Sequence, residues 1–127
     1  MNDSELLKIS LLVSTIGLIM LFAISSYSQP PLVKISEITY DDVGGYVIVN
    51  GKIIKKSVHR DGHIFLDIAD ETGKMKVVIF SGTANTIKNE TLSCLKVGNT
   101  LNVKGKVDEY RGALEMVPKD GVDVECQ

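Results

Sequence analysis

Between Ile9 and Tyr27 the chain reads ISLLVSTIGLIMLFAISSY, a run without a charge or a proline. A helix built from it is apolar on every side, and a chain of 127 residues has no core large enough to hide such a helix. Its length is what a helix needs to cross roughly 30 Å of hydrocarbon. The backbone hydrogen bonds close inside the helix, and the Ser and Thr hydroxyls can bond back to the preceding turn. Lys8 can snorkel at one end, Tyr27 suits an interface at the other, and Pro30-Pro31 stop the helix. A transmembrane helix is therefore expected at 9–27, with an N-terminal tail at 1–8 and a linker at 28–45. A cleaved signal peptide, with Ala23 and Ser25 before the cut, is the alternative. The acidic start (Asp3, Glu5) and the length of the run count against it. The expected location is a membrane, by a single N-terminal span. The side on which the rest of the chain lies stays open, because Lys8 and Lys34 flank the run almost symmetrically. Asn89-Glu90-Thr91 is a glycosylation acceptor that matters only outside the cell.

Once this block is set aside, an ordinary small-domain composition remains. From Leu32 onward, 13 Lys and Arg face 14 Asp and Glu. A domain so near neutrality has no global field to draw it onto nucleic acid, so any such binding rests on a local patch. Cys94 and Cys126 are too few for a disulfide scaffold, and no CxxC or His-rich pairing offers a metal site. Two ordinary thiols are the expectation; a single bridge is compatible with a domain outside the cytosol.

From residue 46 the hydrophobic period changes to two. Tyr46–Val58 is a β-branched run interrupted by Gly51, the place for a bulge or sharp coil. After the turn Arg60-Asp61-Gly62, His63–Asp70 alternates, with Ile64, Leu66 and Ile68 on one face and His63, Phe65, Asp67 and Ala69 on the other. Lys74–Phe80 follows, with Met75, Val77 and Ile79 inward and Lys74, Lys76 and Val78 outward. A short helix is expected around Ile87–Leu95. Two more strands follow, Thr100–Val107 with Leu101, Val103 and Val107 inward and Gly105 at a second kink, and Ala113–Val117 after a turn at Tyr110-Arg111-Gly112. Three strands, a bridging segment and two strands give an all-β domain at 46–127, a five-stranded Greek-key OB barrel behind one transmembrane helix. Closure removes the edges that such β-rich strands would otherwise expose.

The stretch GHIFLDIADETG, Gly62–Gly73, resembles the second strand and turn of the anticodon-binding OB domains of class II aminoacyl-tRNA synthetases. The matching positions are Gly62, Phe65, Leu66, Asp67, Ile68, Asp70 and Gly73; Ala69 stands where that family often has Arg. VNGKI and LKVGNTLNVKGKV are similar to the wider superfamily of nucleic-acid-binding OB domains, so the resemblance runs from Tyr46 to Pro118. It implies a binding module, and it implies that Phe65 occupies the base-stacking position. Nothing here resembles a synthetase catalytic domain. A membrane span followed by an OB barrel also resembles the haem chaperone of cytochrome c maturation. That family attaches haem through a His or Cys followed four residues on by Tyr, and no Tyr follows Cys126 here. No cofactor is expected.

On an OB barrel the binding surface is the outer face of strands two and three, with the loops between strands one and two and strands four and five. That rule gathers His63, Phe65, Lys74, Lys76 and Val78 on the face. The first loop adds Lys55, Lys56, His59 and Arg60, and the second adds Tyr110 and Arg111. An aromatic platform ringed by cations suits single-stranded DNA or RNA, because bases stack and phosphates meet Lys or Arg. Asp67 and Asp70 beside it oppose phosphate and keep affinity modest. No catalytic or metal-binding constellation is found: Asp67 and Asp70, three apart on a strand, face opposite ways. The expected function is a membrane-anchored binding module and not an enzyme. An extracytoplasmic adaptor for protein or oligosaccharide is the alternative.

Overall fold

A computed structural model describes residues 2–27 and 29–127. Helix α1, Asp3–Tyr27, begins six residues before the apolar block, so the expected tail is mostly helical. Asn2 starts it by accepting the Glu5 N–H on its side-chain oxygen at 2.9 Å, which satisfies one of the free donors of the first turn. The Thr15 hydroxyl bonds back to Leu11 O at 2.8 Å. The described side chains of α1 are exposed, and the helix is long and apolar enough to cross a membrane, a property shared by signal sequences. The Tyr27 side chain, expected at an interface, lies outside the described residues.

The sheet carries the expected strands: β1 Tyr46–Val58, β2 Ile64–Ala69, β3 Lys74–Ile79, β4 Thr100–Tyr110 and β5 Ala113–Val117. The pairings run β1–β2–β3–β5–β4 and return from β4 to β1, all antiparallel except β3 with β5. Ile64, Leu66, Ile68, Met75, Val77, Ile79, Leu101, Val103 and Val107, the residues expected inward, are all buried. Each fully buried Leu, Ile or Val contributes roughly 1.5–3 kcal/mol.

Four features differ from expectation. The stretch 28–45 is not a free linker. Pro31 O accepts the N–H of Ile48 and Val33 donates to Ile48 O, so residues 31–33 run beside β1. Ile35, in the short 3-10 turn Ile35–Glu37, and Ile38, just after it, then enter the core, and a second 3-10 turn, Tyr40–Asp42, follows on the surface. The bridging segment is two short helices, α2 Ser81–Ala84 and α3 Asn89–Cys94. A sixth strand, β6 Val124–Cys126, pairs with β4, making six strands where five were expected. Cys126 at its end is bridged to Cys94 of α3, so the two thiols form one disulfide.

The strand glycines act by close approach. Gly51 keeps its pairing with Leu101, and a Cβ there would sit 3.2 Å from Ile68 Cβ. The register shift of β1 falls between Ile53 and Lys55 instead. At Gly105 a Cβ would lie 3.0 Å from the backbone of Val117.

Candidate functional site

The outer face of β2 and β3 is ordered by register into rows. Ser57 of β1 faces Phe65 of β2, which faces Val78 of β3. The next row reads Lys55, Asp67, Lys76 and Glu115, one residue from each of β1, β2, β3 and β5. Neighbouring strands place such partners about 5 Å apart at Cβ, so the row alternates charge and largely neutralises itself. Lys55, Ser57, Phe65, Asp67 and Lys76 line one shallow groove open to solvent. Val78 points out of the core by register yet is only 5% exposed, and Phe65 opposite it is half-buried. Phe65 is the apolar part of the groove lining, and Val78 packs beside it on β3.

The irregularity at Ile54 decides which lysine belongs. Past it, Lys55 faces Asp67 and Ser57 faces Phe65, whereas Lys56 faces Leu66, whose side chain is in the core. Lys56 therefore lies on the opposite side of β1 from Phe65. A one-residue shift exchanges the two faces of a strand, and the bulge supplies that shift.

His59, Arg60 and Asp61 form the β1–β2 turn, held by His59 N–H on His63 O at 2.8 Å and Gly62 N–H on His59 O at 3.0 Å. His59 Nδ1 lies 3.4 Å from Asp61 Oδ2 on the surface. His63 is a joint and not an open contact. Its Nδ1 accepts the N–H of Ser81 at 2.9 Å, and its ring meets Phe80 edge-on with centroids 5.6 Å apart. With Nδ1 accepting, the neutral ring carries its proton on Nε2.

Tyr110 and Arg111 lie at the other end of the face. β5 runs parallel to β3, so the β4–β5 turn sits at the Lys74 end and the β1–β2 turn at the Ile79 end. Six strand residues, or about 20 Å, separate the two. Arg111 and Gly112 both have positive φ, 52° and 81°, the geometry of a two-residue hairpin turn. The Arg111 guanidinium lies 5.2 Å from the centre of the Tyr110 ring, within cation–π range. The Tyr40 hydroxyl donates to Gly112 O and fixes the turn from outside. Lys74 belongs to the row between this turn and Lys76.

Asp70, at the β2–β3 turn, is spent on structure. Its carboxylate accepts the N–H groups of Ile35, Thr72 and Gly73 and the Thr72 hydroxyl. Burial pushes its pKa up, but these four bonds outweigh it and hold the carboxyl at about 2. Thr72 in turn accepts the Ser36 N–H at 3.1 Å, so the turn ties down the segment before β1.

The structure thus brings Lys55, Phe65 and Lys76 into one groove with Lys74 beside it. It places His59 and Arg60 at one end and Tyr110 and Arg111 at the other, and it removes Lys56 and His63. Sequence reasoning did not assign Ser57 and Glu115 to the face; the first depends on the bulge and the second on the β3–β5 pairing, and neither carries a local signal. Cys126, the residue that a haem-chaperone resemblance singles out, is engaged with Cys94.

Comparison with known proteins gives the same fold. The family model described as "OB-fold nucleic acid binding domain" matches residues 47–124. The chain is 36% identical to a tRNA 2-agmatinylcytidine synthetase of Pyrococcus horikoshii over 78% of its own length and 23% of that protein. It is 30% identical to the exodeoxyribonuclease 7 large subunit of Helicobacter hepaticus over 74% of its length and 19% of that protein. The chain therefore spans about a fifth of these relatives. Among solved structures, asparaginyl-tRNA synthetase from Pyrococcus horikoshii superposes with a TM-score of 0.59 at 23% identity, covering 74% of this chain and 21% of that one. The similarity to a synthetase's OB domain, read from Gly62–Gly73, is borne out at the level of fold.

Proposed function

The chain belongs to the family of OB-fold nucleic acid binding domains, and from that premise we propose that it is a membrane-tethered module that binds single strands and carries no catalytic activity of its own. The observation that supports this most is the half-buried Phe65 in an open groove, edged by Lys55 and Lys76 and bracketed by turns that carry Arg60 and Arg111. A base freed from its stack can lie on Phe65 while the backbone runs toward Lys74 and Arg111 on one side and Arg60 on the other. A duplex keeps its base faces stacked and cannot use that platform. Asp67 and Glu115 in the same row offset much of the lysine charge, so binding is modest, and the part that rests on Lys and Arg falls with salt. Titration of labelled single-stranded and duplex oligonucleotides against the protein tests this; equal affinity for both contradicts it.

Two observations favour the adaptor reading as a second. The Cys94–Cys126 bridge suits an oxidising compartment, and Asn89 of the Asn-Glu-Thr acceptor is exposed. The alternating Lys55–Asp67–Lys76–Glu115 row also suits a protein surface with the opposite alternation. A reporter fused at the C-terminus separates the readings, since an exported domain meets protein or glycan far more often than RNA.

A further inference from the structure

The point at which the apolar helix joins the domain constrains how the domain lies on a membrane. Three residues separate Tyr27, the last of α1, from Pro31, whose carbonyl is bonded to Ile48 N. Four Cα steps reach at most about 15 Å. The domain is therefore attached beside Ile48, near the start of β1. Phe65 pairs with Ser57, nine residues further along the same strand, about 30 Å of contour.

The surface around the attachment has the composition of an interface. Leu32 pairs with Ile48, and Ile48 pairs with Lys104; Tyr46 pairs with Lys106 in the adjacent register. Leu32 is 69% exposed and Tyr46 is 42% exposed. Pro30, Tyr46, Lys104, Lys119, Asp120 and Asp123 line one shallow hollow. Asp123 is partly occupied, since its carboxylate accepts the Asp120 N–H at 3.1 Å. An exposed leucine and tyrosine beside lysines match the depth at which acyl chains give way to phosphates.

We propose that the Leu32–Ile48–Lys104 side of the domain rests on the headgroup layer of the bilayer that α1 enters, which turns the Phe65 groove away from the membrane. This rests on the tether reading above. It gives a reason for the exposed apolar residues next to the attachment, and it leaves the groove open to a long ligand.

The protein contains no tryptophan, so single-tryptophan variants of the full chain are clean reporters. Tyr46→Trp, Leu32→Trp, Phe65→Trp and Phe22→Trp are each reconstituted into vesicles of phosphatidylcholine with phosphatidylglycerol. A headgroup spin-labelled lipid is expected to quench most of the emission of Tyr46→Trp and Leu32→Trp and to leave Phe65→Trp unchanged. Brominated acyl chains are expected to quench Phe22→Trp. Strong quenching of Phe65→Trp, or none of Tyr46→Trp and Leu32→Trp, overturns the orientation while the tether stands. No quenching of Phe22→Trp overturns the tether itself, and the orientation with it.

Discussion

Asp70 and Phe65 lie on neighbouring parts of β2 and its turn and serve different ends. Asp70 holds four hydrogen bonds that bind the 35–36 segment to the β2–β3 turn. Asp70→Ala is expected to cost about 2 kcal/mol of stability, since bonds to a charged acceptor contribute more than neutral ones. The pH dependence follows from its depressed pKa. In the unfolded chain the carboxyl takes up its proton near 3.8, in the folded chain near 2. Its contribution is thus fully present above the unfolded value and is lost as pH falls through the folded one. Denaturant midpoints between pH 5 and pH 2 are expected to fall less steeply in Asp70→Asn than in wild type. Parallel curves would show that the bonds do not favour the ionised form. Phe65 was legible in the sequence because alternation in β2 is clean. His63 was placed on the same face by the same alternation, and its partner Ser81 lies eighteen residues away, beyond reach of any local pattern.

β1 shows how one bulge resets the alternation of a strand. Up to Ile53 the inward residues are those the alternation gives; after the bulge Lys55 and Lys56 exchange faces. Lys55→Ala is therefore expected to flatten the salt dependence of binding, with Lys56→Ala close to wild type, as fewer counterions are released only when a contacting charge is lost. Equal effects from both would place the ligand elsewhere than in the groove. Gly105 makes a second element-scale test. Any Cβ there meets the Val117 backbone, so Gly105→Val is expected to lower stability by roughly 1–3 kcal/mol, read as a denaturant midpoint. An unchanged midpoint would mean that β4 and β5 can separate at no cost. β6 was invisible because three residues carry too little pattern to read. Its bridge to α3 spans 32 residues, and Cys94→Ser with Cys126→Ser is expected to lose about 3 kcal/mol.

For the whole molecule, the boundary between the apolar helix and the domain lies at residue 30, before the bonds to Ile48 begin. A 30–127 fragment is expected to unfold cooperatively, while 46–127 loses Ile35 and Ile38 from the core and is markedly less stable. The sequence placed that boundary sixteen residues late because the 3-10 turns of residues 35–42 have no strand or helix period. What the face of β2 and β3 holds is read by fluorescence anisotropy at low salt. Full-length protein in detergent is titrated into labelled single-stranded and duplex oligonucleotides, as wild type and as Phe65→Ala. Wild type is expected to favour the single strand, and Phe65→Ala to lose roughly 1–3 kcal/mol of that binding with its salt slope unchanged. Absence of binding up to high micromolar protein, or a Phe65→Ala variant that binds as well as wild type, would contradict the single-strand reading.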